Sequence, residues 1–134
     1  MTASGGFFDG SLEHDKTGTL MEALITYDDF RKVDIRVGEI IEVLDFERAR
    51  NPSYKVRINF GAEIGEKWSS VQAKLAYTKE ELLDRQILAV VNFPPKNIAG
   101  FQSEALILGV EKEDGSLSLL EPSRKPAVLG FRVY

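Results

Sequence analysis

A short helix signal, Thr78-Lys-Glu-Glu81, interrupts a chain that otherwise reads as strands, and its place in the order narrows the fold sharply. A hydroxyl followed three residues on by a carboxylate satisfies free N–H groups at a helix start, and Tyr77 and Leu82 flank it as a hydrophobic staple. The spacing predicts a helix through Asp84. Three strand-like segments precede it. VDIRVGEIIEVLDF alternates through Val33, Ile35 and Val37 and changes phase after Gly38, which predicts a bulge or bend there. KVRINF turns Val56, Ile58 and Phe60 one way, and WSSVQAKL follows the glycine-flanked connection GAEIGEK. After the helix come ILAVVNF, apolar enough for burial on both faces, then NFPPKNIAGFQSE, then SEALILGV and SLSLLEP around an Asp114-Gly115 turn. A weaker capping signal, Thr26-Tyr-Asp-Asp29, predicts a short helix ending near Arg31 or Lys32, and the apolar tail SRKPAVLGFRVY is expected to pack on the domain.

Three strands, a short helix and two or three more strands is the order of an OB-fold, a small barrel whose edges are managed by near-closure. A long, bent first strand suits it, because one strand must pair at both ends of a rolled sheet. The fold class is therefore all-β with short helices: a five-stranded barrel with N- and C-terminal extensions.

Composition removes most chemistry. The chain of 134 residues has no cysteine and one histidine, His14. That histidine lies in MTASGGFFDGSLEHDKTGTL, a stretch without sustained periodicity that ends before Met21. Residues 1–20 read as an added or disordered leader, with a native arm docked on the domain as the alternative, and residues 21–134 as one domain. Without the leader the domain has neither His nor Cys, so zinc hydrolysis, Cys–His and Ser–His catalysis lose their usual parts. Ser69 and Ser70 stand near Lys74 without the spacing of an activated serine, and the adjacent pairs Glu80-Glu81 and Asp28-Asp29 do not face each other on a helix. The expectation is a non-enzymatic protein with no cofactor, no metal and no membrane insertion, in the cytoplasm. A net charge of −4 argues against a sequence-blind polyanion binder but permits a local basic patch.

OB-folds meet ligands on the face of strands two and three and on the loops joining strands 1–2 and 4–5. In this chain those places carry Arg48, Arg50, Lys55, Arg57, Lys67, Lys74 and Lys96, with Tyr54, Trp68, Phe93 and Phe101 nearby. Lys and Arg on strands also serve solubility, and Trp68 and Phe101 are core candidates as well.

DFRKVDIRVGEI, FGAEIGEKWSSVQ and NFPPKNIAGFQSEALILG together resemble the CsaA family of export-related chaperones, which is built on the tRNA-binding OB domain appended to some methionyl- and phenylalanyl-tRNA synthetases. The resemblance runs from about Phe30 into the tail. It implies a homodimer, with the Tyr27 to Lys32 helix and the segments after Gly109 at the interface. It also implies that Asn92, Pro95, Lys96, Gly100 and Ser103 match the Asn…Pro-x-Lys…Gly…Ser pattern of the tRNA-binding loop. Glu104 and Ala105 depart from the synthetase-type pattern, and an acid there shifts weight towards the chaperone branch.

Two functions follow as expectations. The first is a chaperone that holds unfolded or export-bound precursor polypeptides, with the export machinery as a further partner. Its groove is lined by Trp68, Phe93, Pro94, Pro95, Asn97, Ile98 and Phe101. The alternative is structure-selective tRNA binding through Arg48, Arg50, Lys55, Arg57, Lys74, Asn92, Lys96 and Ser103, dominated by phosphate contacts.

Overall fold

In the computed structural model, which describes residues 20–134, the first strand changes partners halfway along. β1 (Ile35–Asp45) pairs antiparallel with β4 (Gln86–Val90) from Ile35 to Glu39. From Glu39 to Asp45 it pairs instead with β2 (Tyr54–Asn59). β3 (Glu66–Val71) lies beyond β2, and β7 (Leu106–Ile107) beyond β4, so the sheet order is β3-β2-β1-β4-β7. This is a five-stranded, nearly closed antiparallel barrel, consistent with an OB-fold.

The phase change in β1 has two causes rather than one. The bulge lies between Ile40 and Glu42, after the expected position, and leaves Ile41 as the extra residue. Gly38 is needed for a different reason: a Cβ there would meet Ile58 Cγ2 at 2.5 Å and the Phe60 ring at 2.7 Å. Both side chains are wholly buried, so the strand crosses the core where only a hydrogen fits. Around them pack Ile40, Val56, Ile87, Ala89 and Leu82. A side chain the size of Phe60 contributes roughly 1.5–3 kcal/mol by such burial.

The two helices of the described residues follow their capping boxes. α1 (Tyr27–Arg31) starts at Thr26, whose hydroxyl accepts from Asp29 N–H at 3.1 Å while Asp29 Oδ2 accepts from Thr26 N–H. α2 (Lys79–Leu82) starts at Thr78 with the matching pair to Glu81 and ends before the expected Asp84. Neither is long and apolar enough to cross a membrane.

Two small hairpins complete the fold. β5 (Lys96–Ile98) pairs with β6 (Phe101–Ser103), and β8 (Gly109–Glu111) pairs with β9 (Leu117–Leu119) around the expected Asp114-Gly115 turn. The first hairpin was not foreseen: NFPPKNIAGFQSE is not an open loop. Its turn places Ala99 at φ 49° and Gly100 at φ 87°, both left-handed, and Asn97 Oδ1 accepts from Gly100 N–H at 2.8 Å. A two-residue turn of that hand favours Asn-Gly. Ala99→Asn is expected to raise unfolding free energy by about 1 kcal/mol, which a urea titration measures.

The tail takes the edge of β1 that β2 leaves. Val37 N–H donates to Phe131 O at 3.0 Å, Gly130 N–H to Val37 O at 2.8 Å, and Val133 N–H to Ile35 O at 2.8 Å. Gln86 fastens the tail from the β4 side, its amide exchanging two 2.8 Å bonds with the Ala127 main chain.

Candidate functional site

The barrel closes where β3 meets residues 103–105, and side chains replace part of the missing ladder. Glu104 N–H donates to Trp68 O at 2.7 Å while Glu104 Oε1 accepts from Trp68 N–H at 2.8 Å. Ser103 Oγ accepts from Ser70 N–H at 3.1 Å, and the buried Ser69 hydroxyl donates to Ala105 O at 2.9 Å. Glu104 thus has a structural task that the sequence did not reveal: it completes the seam.

On one side of this seam lies a cleft of about 400 Å³. Val71, Ala105 and Ile107 line its inner part, with Phe93, Pro94, Ile98 and Leu117 around them. Lys96 and Glu111 add charge. Of the residues expected to bind peptide, Phe93, Pro94 and Ile98 therefore meet in one place. Pro95 is exposed and outside the lining, and Asn97 holds the hairpin turn. The inner three also belong to the buried core, as the alternation of β3 and the runs around β7 imply, and the sequence does not show that they form the floor of a cleft as well.

Trp68 and Phe101 lie on the other side. Their rings meet edge to face at 6.2 Å, and Phe101 meets Phe46 likewise at 5.3 Å. Lys55 Nζ stands 5.0 Å from the Phe46 centroid and 5.2 Å from that of Phe101. Leu44, Lys55, Trp68 and Phe101 border a shallow concavity here. Tyr54 does not join it; it is buried, with its hydroxyl donating to Tyr77 O at 2.8 Å.

The expected basic cluster divides by what answers each charge. Arg57 Nη1 binds Glu66 at 2.5 Å and Arg57 Nε binds Glu42 at 2.8 Å, and these carboxylates, Glu66 first, raise its pKa above the ordinary guanidinium value. With two carboxylates on it, Arg57 presents little positive charge to a ligand. Lys74 and Lys79 share Asp45 at 3.0 and 2.8 Å. Their hydrogen bonds, that of Lys79 foremost, hold the Asp45 carboxyl below its usual pKa. Arg48 and Arg50 are exposed on the loop after β1, make no ion pair among the described residues, and Arg48 reaches the β5–β6 turn, 4.0 Å from where a Cβ on Gly100 would stand. Among the described residues Lys55 and Lys96 are likewise without a carboxylate partner, one on each side of the seam. Asn92 is occupied at both ends of its amide, accepting from Asp34 N–H at 3.0 Å and donating to Lys32 O at 2.7 Å. It fixes the entry of β1, and Ser103 belongs to the seam.

With this geometry in view, the comparisons with known proteins are consistent. A crystal structure of CsaA chaperone protein from Picrophilus torridus superposes with a TM-score of 0.77 at 50% identity, covering 83% of this chain and 100% of that one. The chaperone CsaA structure from Bacillus anthracis gives 0.78 at 41% identity, covering 84% and 100%. Methionine–tRNA ligase of Methanococcus vannielii is 34% identical over 119 residues, which are 89% of this chain but only 17% of that enzyme. The chain thus spans about a sixth of the length of such ligases. The family model described as "Putative tRNA binding domain" matches residues 35–130, from the start of β1 to the glycine that joins the tail to it. The chain belongs to the tRNA-binding domain family.

Proposed function

We propose that the protein is a non-catalytic, chaperone-type holder of unfolded polypeptide, and that an extended apolar segment lies in the cleft beside the β5–β6 hairpin. The apolar lining of that cleft carries the reading: Val71, Ala105, Ile107, Ile98 and Leu117 come together from four separate parts of the chain. Extended chain with small and medium apolar side chains fits such a surface without a sequence code, which is what a holder of precursors needs. The CsaA structures support the same reading. Export-bound precursors in the cytoplasm, handed on to export machinery, are the partners that go with it.

A second copy of the chain completes the picture. Leu24, Ile25 and Tyr27 precede or open α1 and are exposed, as are Phe131 and Tyr134 in the tail. The Arg132 guanidinium donates to Arg31 O, which ties the two regions together. An apolar surface of this kind supports a homodimer.

A tRNA-binding reading is favoured by a separate observation, the Lys55 charge over the Phe101 ring beside Trp68, with Arg48 at the nearby β5–β6 turn and Arg50 exposed on the same loop as Arg48. Phosphate contacts of that kind weaken steeply with salt, whereas apolar contacts do not.

One titration tests the main reading. A labelled unfolded apolar peptide is titrated by fluorescence anisotropy against wild type and Ile98→Glu. The charge in the cleft wall is expected to weaken peptide binding at least about tenfold while tRNA binding, measured in parallel, stays unchanged. Equal peptide affinity for the two proteins would remove the cleft from the function.

A further inference from the structure

We infer that the cleft and the cation–aromatic face are two sites that fill at the same time, with the β5–β6 hairpin and its seam to β3 as the wall between them. The inference rests on the two ligand readings above and goes beyond both: it makes the protomer a device for holding an extended polypeptide and an RNA together.

The wall is defined by its two sides. Ile98 and Lys96 of β5 border the cleft, whereas Phe101 of β6 borders the face. Among the described residues only Glu104 borders both. Its two bonds to the Trp68 main chain hold it in place, so neither ligand gains room by displacing it. Phe101 is equally fixed, with Phe46 and Trp68 edge-on against its ring and Lys55 over it. A peptide in the cleft therefore touches none of the cations Arg48, Arg50 and Lys55, which are absent from its lining. An RNA drawn to those cations touches none of the inner apolar residues of the cleft.

Charge favours the same division. Among the described residues the cleft lining sets Lys96 beside the carboxylate of Glu104, a poor setting for phosphate. Lys55, by contrast, sits over the half-buried Phe101 ring next to Trp68, and these two rings offer stacking to an unpaired base. Lys96 accordingly works with the peptide and not with the RNA.

The test is a three-part titration on the wild-type chain at fixed salt. Peptide of about seven residues alone and tRNA alone are titrated first; failure of either to bind defeats the underlying reading of that site, and with it the inference. Next, tRNA is titrated against protein saturated with peptide. The expected result is a tRNA Kd within about twofold of the peptide-free value, with labelled peptide still bound at tRNA saturation. A tRNA Kd that climbs in proportion to peptide concentration overturns the inference while leaving both single-ligand readings intact. Lys96→Ala supplies the second arm: peptide affinity falls and tRNA affinity holds, and the opposite pattern also overturns the wall.

Discussion

Gly130→Ala is expected to cost roughly 3–5 kcal/mol of folding free energy, enough to leave a domain of this size marginal or unfolded at physiological temperature. Two terms add. Gly130 has φ 85°, where a Cβ costs about 1–2 kcal/mol, and a Cβ there would stand inside van der Waals contact with the carbonyl oxygen of Phe60. A backbone oxygen has no rotamer to give way, so the tail must lift. Lifting it also loosens the bond from Gly130 N–H to Val37 O and the bond from the Arg36 guanidinium to Gly130 O. The check is a denaturant titration of the variant beside wild type, with tail exchange followed by amide hydrogen exchange. An unfolding free energy within 1 kcal/mol of wild type (about 1 kcal/mol being the ordinary effect of a point substitution) would mean that the tail is not locked as described.

Glu104→Ala is the second large effect, about 2–3 kcal/mol. It strips Trp68 N–H of its acceptor at the point where the barrel has no strand to supply one. Glu104→Gln is the control, because an amide oxygen accepts the same bond without the charge; it is expected to recover most of the loss. Thermal unfolding of the three proteins decides the matter. If Gln is as damaging as Ala, the carboxylate acts through its charge and not as a substitute rung. From the sequence, an acid at this position shifts weight towards the chaperone branch. The geometry supplies a prior reason for it.

The barrel was legible because its signals are local. Capping boxes announce themselves within four residues, and strands such as KVRINF carry their inward and outward faces in alternation. The small hairpin escaped because three-residue strands carry no period, and because an Ala-Gly turn lacks the asparagine that marks such a reversal. Gly38 marked a real constraint, but sequence could not separate a bulge from a crossing over Phe60, since the obstructing ring comes from another strand.

The candidate site was half legible for the same reason. Residue types converged on the right loops, yet the acids that occupy Arg57 and Lys74 come from neighbouring strands and are invisible in a linear reading. Nor does spacing along 92–104 say that Lys96 and Phe101 face opposite sides of one wall. That depends on the register of a hairpin only a few residues long.

The partner change in β1 has a consequence for how the chain is made. Its first half finds β4 early, but the other edge waits for the tail, and Arg36 and Gly130 are 94 positions apart. On the ribosome, Ile35 to Val37 therefore emerge as an unpaired edge long before the residues that cover it are translated, and long-range closures of this kind are slow. A protein that we read as a shelter for unfinished chains passes, during its own synthesis, through the exposed state it guards against in others.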